Sequence, residues 1–158
     1  MEQVETFQHL DDLDAESKYV VHKAKEAASH AYAPYSRILI GAAILLENGT
    51  LITGTNIENA AHPSGMCAER VALYAATVLH AKSDIQRIAV VGKKKSGKEL
   101  IPTVICGSCR QALLEYEALQ KKSIPLVMFY EENKWIVSPS VKSLLPFSHS
   151  QVNLGHGF

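Results

Sequence analysis

The chain reads as an α/β protein: a three-layer α/β/α sandwich around a mixed sheet of about five strands, folded as one domain over residues 1–158. Three observations predict this. Helical and strand patterns alternate in the order α-β-β-α-β-α-β-β-α. The first two strands are joined by Glu47-Asn48-Gly49, a tight-turn signal that makes them antiparallel, so the sheet is mixed. A length of 158 residues with 47% hydrophobic content suffices for one sizeable core.

Residues 1–12 are acidic, lack periodicity and read as a loosely held, flexible arm. Over 13–30, Val20, Ala24, Ala27, Ala28 and Ala31 recur at near-helical spacing, with Asp14 as N-cap and Pro34 as stop. The apolar run 38–46 and its return 51–56 form a hairpin. After a loop with Pro63 and Gly65, residues 67–81 read as a buried helix through Ala68, Val71, Ala72, Ala75, Ala76 and Leu79. A short buried strand at 87–92 precedes a helix at 106–120. Strands at 126–130 and 134–137 follow, then a short helix at 141–145 ended by Pro146.

All three cysteines fall at predicted helix starts, in Cys67-Ala68-Glu69 and Cys106-Gly107-Ser108-Cys109. Helix N-termini present free amides and partial positive charge, which stabilise thiolates. Cys106 and Cys109, three apart, share a helix face. Three thiolates fill three corners of a tetrahedral zinc site and leave the fourth for water. Glu69, two residues from the first thiol, is placed to move protons at that water as general acid–base. Three thiolates on Zn²⁺ sum to one negative charge, and Arg70 and Arg110, each beside a motif, are candidates to hydrogen-bond a sulfur and withdraw charge. A closed structural zinc with His62 as fourth ligand is the rival arrangement. A non-catalytic zinc-stabilised scaffold is the rival function.

Lys+Arg and Asp+Glu both number 16, so the chain lacks the basic footprint of nucleic-acid binders. The run Lys93-Lys94-Lys95, flanked by glycines, reads as a solvated loop tip. No apolar run reaches membrane-span length and the N-terminus has no apolar signal region, so a cytoplasmic location is expected, with neither membrane nor nucleic-acid partners.

At this point the chain closely resembles the cytidine deaminase family in its small homotetrameric form. The matching stretches are Ala33-Pro34-Tyr35-Ser36, Gly41-Ala42-Ala43, Thr53-Gly54-Thr55-Asn56-Ile57-Glu58-Asn59-Ala60, Cys67-Ala68-Glu69-Arg70, Cys106-Gly107-Ser108-Cys109-Arg110-Gln111 and Leu144-Leu145-Pro146. The two zinc motifs mark the wider deaminase superfamily, and Asn-Ile-Glu-Asn-Ala narrows it to free nucleosides. A cysteine, not a histidine, as first ligand points the same way. The resemblance implies one Zn²⁺ per subunit and a homotetramer with sites shared between subunits. It implies hydrolytic deamination of cytidine and deoxycytidine for pyrimidine salvage, with zinc-bound hydroxide attacking C4 while Glu69 shuttles protons. It also implies that Asn56 and Glu58 bind the ribose 3′-hydroxyl, that the Ala68 amide binds the pyrimidine O2 and that Glu69 contacts N3.

Four positions depart from the family pattern. Ile105 replaces a proline before the second motif, Ile38 replaces a phenylalanine that packs on base and sugar, and His62 replaces a tyrosine. His149 stands where a phenylalanine enters a neighbouring subunit's site, with Phe147 two residues earlier. Equivalent contacts from His62, Phe147 and His149 would keep the nucleoside pocket, since a base stacks on imidazole. The alternative substrate is a modified cytidine or a nucleoside antibiotic.

Overall fold

In the computed structural model, which describes residues 3–131 and 133–154, helices and strands alternate along the chain as expected. In chain order they are β1 (Glu5–Phe7), α1 (Ala15–Ala28), β2 (Ile38–Leu46), β3 (Leu51–Thr55), α2 (Ala68–Leu79), β4 (Ile85–Lys94), β5 (Leu100–Ile101), α3 (Gly107–Gln120), β6 (Leu126–Glu131) and β7 (Lys134–Ser138). The strands form one sheet ordered β1-β7-β6-β4-β2-β3, with β5 pairing the far end of β4. Among the described strands only β4 and β6 pair in parallel, so the sheet is mixed.

Among the described residues the sheet therefore holds seven strands, against the five expected. The additional two are the short β1 and β5. Residues 5–7, expected within a loose arm, instead pair with β7, Glu5 opposite Val137 and Phe7 opposite Trp135. Phe7 packs against the core there, and the added strand covers an otherwise open sheet edge. The first two residues of the expected arm lie outside the described residues. The helix expected at 141–145 shrinks to the single 3₁₀ turn Lys142–Leu144.

Alternation along the central strands splits the core in two. Ala42, Ile44 and Leu46 of β2, Ile88 and Val90 of β4, and Leu126 and Met128 of β6 face α2 and α3. Ala43, Leu45, Ala89, Val91 and Val127 face the other way, onto Val20, Val21 and Ala24 of α1. The helices thus lie on both faces, which is the α/β/α arrangement expected.

Local chemistry sets where each helix sits. Asp14 caps α1 as predicted: its carboxylate accepts from the Ser17 amide at 2.9 Å and from Arg87 Nη1 at 2.8 Å. Gly54 lets α2 press onto β3, because a Cβ there would collide with the Ala68 carbonyl oxygen and the Ala72 amide nitrogen. At the far end of α3, the buried Glu117 carboxylate accepts three backbone N–H groups: Ile124 at 2.8 Å, Val141 at 2.7 Å and Lys142 at 3.1 Å. That clamp fixes the chain on both sides of the β6–β7 hairpin. No helix among the described residues is long and apolar enough to cross a membrane.

Candidate active site

Cys67 is the N-cap residue of α2 and Cys106 that of α3, and neither side chain caps its own helix. Both helix starts meet above the sheet, and Cys109 lies one turn into α3, fully buried. The three sulfurs lie within 4.8 Å of one another, with Cys106 and Cys109 Sγ 3.4 Å apart. A tetrahedral zinc with Zn–S near 2.3 Å needs sulfurs about 3.8 Å apart, so the cluster fits the ion. Among the described residues no histidine joins this group, so His62 does not complete a closed four-ligand site.

The electrostatics suit a cation. The neighbouring Cys109 thiol, aided by Arg70, holds the Cys67 thiol down to about 5, against the penalty of burial. Cys109 is pushed up by the neighbouring Cys67, by its own burial and by the Glu69 carboxylate. The cluster gives up a first proton readily and resists further negative charge until a cation shares it. Arg70 Nη2 reaches to 3.8 Å from Cys67 Sγ, and the sulfur keeps the guanidinium charged.

Arg110 behaves differently. Its Nε donates to the Ile105 carbonyl and its Nη1 to the Leu144 carbonyl, both at 3.1 Å, so this arginine braces the backbone before the second motif and does not meet a sulfur. Of the two arginines expected to tune the metal, only Arg70 has that geometry.

Glu69, in the first turn of α2, is only 4% exposed. Burial raises its pKa above the ordinary carboxylate value, and the negative charge on Cys67 adds to this. Such a carboxyl takes up and releases a proton closer to neutral pH. Among the described residues no backbone carbonyl accepts from the Ala68 amide beside it, leaving that first-turn N–H to serve a ligand.

Glu69, Cys67 and Cys106 open onto a cavity of about 710 Å³. This is the size range of small-molecule sites. Ile38, Asn56, Glu58 and His62, all singled out from the sequence, line it. The Asn56 amide is partly committed: Oδ1 accepts from the Ile40 amide at 2.8 Å and Nδ2 donates to the Ile38 carbonyl at 2.9 Å. It thereby stitches the chain after β3 to the start of β2 and holds Ile38 in the wall, while one N–H and one lone pair stay open. The Glu58 carboxylate accepts from the Tyr35 amide at 2.9 Å and the Ser36 amide at 3.2 Å. Hydrogen bonding from Ser36 and from these amides lowers its pKa, so it is an ionised acceptor. His62 stands edge-on to Tyr35, ring centroids 5.8 Å apart.

Tyr35, Ser36, Met66 and Val104 also line the cavity, and sequence reasoning assigned them no role. The signal for the first two was the Pro34-Tyr35-Ser36 stretch after the first helix. His149 does not line this cavity: it is exposed, and its backbone carbonyl accepts from Gln111 Nε2 at 2.9 Å. Phe147 is fully exposed, in a left-handed backbone conformation with φ of 56°.

An α/β/α sheet that brings three thiolates and one buried carboxylate together from two helix starts is the framework of the zinc-dependent deaminases, and this protein is one of them. Comparison with known proteins narrows the class. The family model for the cytidine and deoxycytidylate deaminase zinc-binding region matches residues 14–124. A cytidine deaminase from Sporosarcina psychrophila is 34% identical over 137 residues, 87% of this chain and 93% of that protein. One from Halalkalibacterium halodurans is 42% identical over 96 residues, 61% of this chain and 68% of that protein. The crystal structure of a cytidine deaminase from Burkholderia pseudomallei superposes with a TM-score of 0.69 at 34% identity, covering 87% of this chain and all of the other. The chain belongs to the cytidine deaminase family, and its cofactor is zinc.

Proposed function

We propose that this protein hydrolyses cytidine and deoxycytidine to uridine and deoxyuridine with release of ammonia, in pyrimidine salvage in the cytoplasm. The observation that carries this reading is the buried Glu69 beside the three-cysteine cluster, lining one cavity together with Asn56 and Glu58. When held by Cys67, Cys106 and Cys109, zinc supplies the Lewis acidity that makes water a nucleophile near neutral pH.

The chain's residues then do the rest. Glu69 takes a proton from the attacking water and passes it to ring N3. The C4–O bond forms first; Glu69 then takes the remaining proton of the added water and delivers it to the amine as the C4–N bond breaks and ammonia leaves. Its raised pKa suits both directions of transfer. The Ala68 amide donates to the pyrimidine O2 and orients the ring. The open positions on Asn56 and Glu58 receive the ribose 3′-hydroxyl, Glu58 as acceptor. Ile38 packs on the base and sugar, with His62 across the cavity in place of an aromatic phenol. Arg70 draws charge from the Cys67 sulfur. Arg110 acts as a positioning residue by fixing the Ile105 carbonyl. In a homotetramer, His149 would enter a neighbouring subunit's site, a role its exposure allows.

Ile38 and His62 in the cavity wall favour one second reading, a zinc deaminase for a modified cytidine or nucleoside antibiotic. The deciding experiment is ammonia release from cytidine by zinc-loaded protein, with Glu69→Gln as the blank. Turnover by the wild type alone supports the first reading. No turnover on cytidine, with turnover on a modified nucleoside, supports the second.

A further inference from the structure

The sheet carries another large cavity, on the α1 side and away from the sulfurs. It lies between Lys25 and Ala28 of α1, the end of β4 at Lys93, the turn through Lys98, strand β5 and Asn133 after β6. Its volume is about 640 Å³. We propose that this cavity binds a small organic anion of the nucleoside phosphate class.

Charge is the first argument. Lys25, Lys93 and Lys98 line the cavity and, among the described residues, Glu99 is the one carboxylate beside them, an excess of two positive charges within that set. Among the described residues none of these three lysines sits in an ion pair. Among the described residues Lys93 Nζ donates to Ser29 Oγ alone, at 3.0 Å. Lys25 Nζ sits 5.8 Å from the Trp135 ring centre, and burial lowers its pKa. A partly desolvated ammonium without a carboxylate is costly, and a bound anion offsets that cost.

The walls supply the second argument. Leu100, Ile101, Pro102 and Phe129 line the same cavity, so one side is apolar and one side cationic. Phosphate alone would use only the lysines. A nucleoside phosphate places its base against Phe129 and its phosphates at the ammonium groups. Among the described residues Glu58, Glu69 and Arg70 line the deaminase cavity and no lysine does, which suits an uncharged nucleoside over a polyphosphate.

The test is calorimetric titration of the zinc-loaded protein, at low salt, with magnesium ATP, inorganic triphosphate and adenosine. A purine nucleotide keeps the pyrimidine site out of the readout, so the result does not depend on the deaminase reading. ATP is expected to bind once per chain with a Kd below about 1 mM. The Lys25→Gln, Lys93→Gln double variant should weaken it by about tenfold or more. Phe129→Leu should weaken ATP and leave triphosphate unchanged, while Glu69→Gln alters neither. Lys98→Gln, in an exposed turn, serves if the double variant fails to fold. The proposal falls if ATP does not bind at millimolar concentration or if the lysine changes leave its affinity unchanged. It falls also if triphosphate binds as tightly as ATP, which would mark a general polyanion patch.

Discussion

The two faces of the sheet are built from the same strands, yet their helices begin in opposite ways. On the α1 face, Asp14 seals the helix start by accepting from Ser17 and Arg87. On the other face, Cys67 and Cys106 occupy the same position and cap nothing, so their first-turn amides and sulfurs stay available. A sealed start is a stability device. An open start costs stability and becomes a site for charge. Substitutions on the two faces should therefore separate activity from stability.

The largest effect belongs to the open face. Glu69→Gln should keep zinc, by metal analysis, while cytidine turnover falls by roughly 10²–10⁴-fold. Near-normal turnover would remove Glu69 from the chemistry. Cys106→Ala comes next: one thiolate fewer should release zinc and lower the melting temperature, since metal affinity is part of folding energy. Retained zinc at full stoichiometry would mean the ligand set is different. Gly54→Val probes how α2 is held, because its side chain must displace the Ala68 backbone. It should cost about 1–3 kcal/mol in denaturant unfolding and lower turnover, since Glu69 moves with Ala68. Stability loss with unchanged turnover would uncouple the two.

The smallest effect is on the sealed face. Asp14→Ala should cost about 1 kcal/mol and leave kcat/KM unchanged. Burial alone would raise the Asp14 pKa, but hydrogen bonds from Ser17 and the Arg87 charge outweigh it and hold the pKa below the ordinary carboxylate value. A lowered folded pKa contributes stability above the unfolded value, lost as pH falls through the folded one. The gap between wild type and Asp14→Ala should thus be full at neutral pH and close in acid, below about pH 4. A gap independent of pH would exclude the carboxylate as its source.

What could be read from the chain follows the range of the interactions. The cap at Asp14, the Asn48-Gly49 turn and the cysteine spacings are local signals, and each has its structural counterpart. Strands β1 and β5, three and two residues long, are too short to carry a period, and only their partners define them. Arg70 and Arg110 look equivalent beside their motifs. The Leu144 carbonyl, far along the chain, draws Arg110 away from the sulfurs. The commitment of Asn56 and Glu58 to backbone groups of β2 and of Tyr35 and Ser36 was likewise invisible, although the pair itself stood out.

Glu117 gives the molecule a protected amide set where secondary structure would not place one. The N–H groups of Ile124 and Val141 lie outside every helix and strand, yet both end on one buried carboxylate. Their deuterium uptake should be as slow as that of β6, and a single Glu117→Gln change should release both at once. The two chain segments flanking the β6–β7 hairpin would then open as one unit rather than as separate loops.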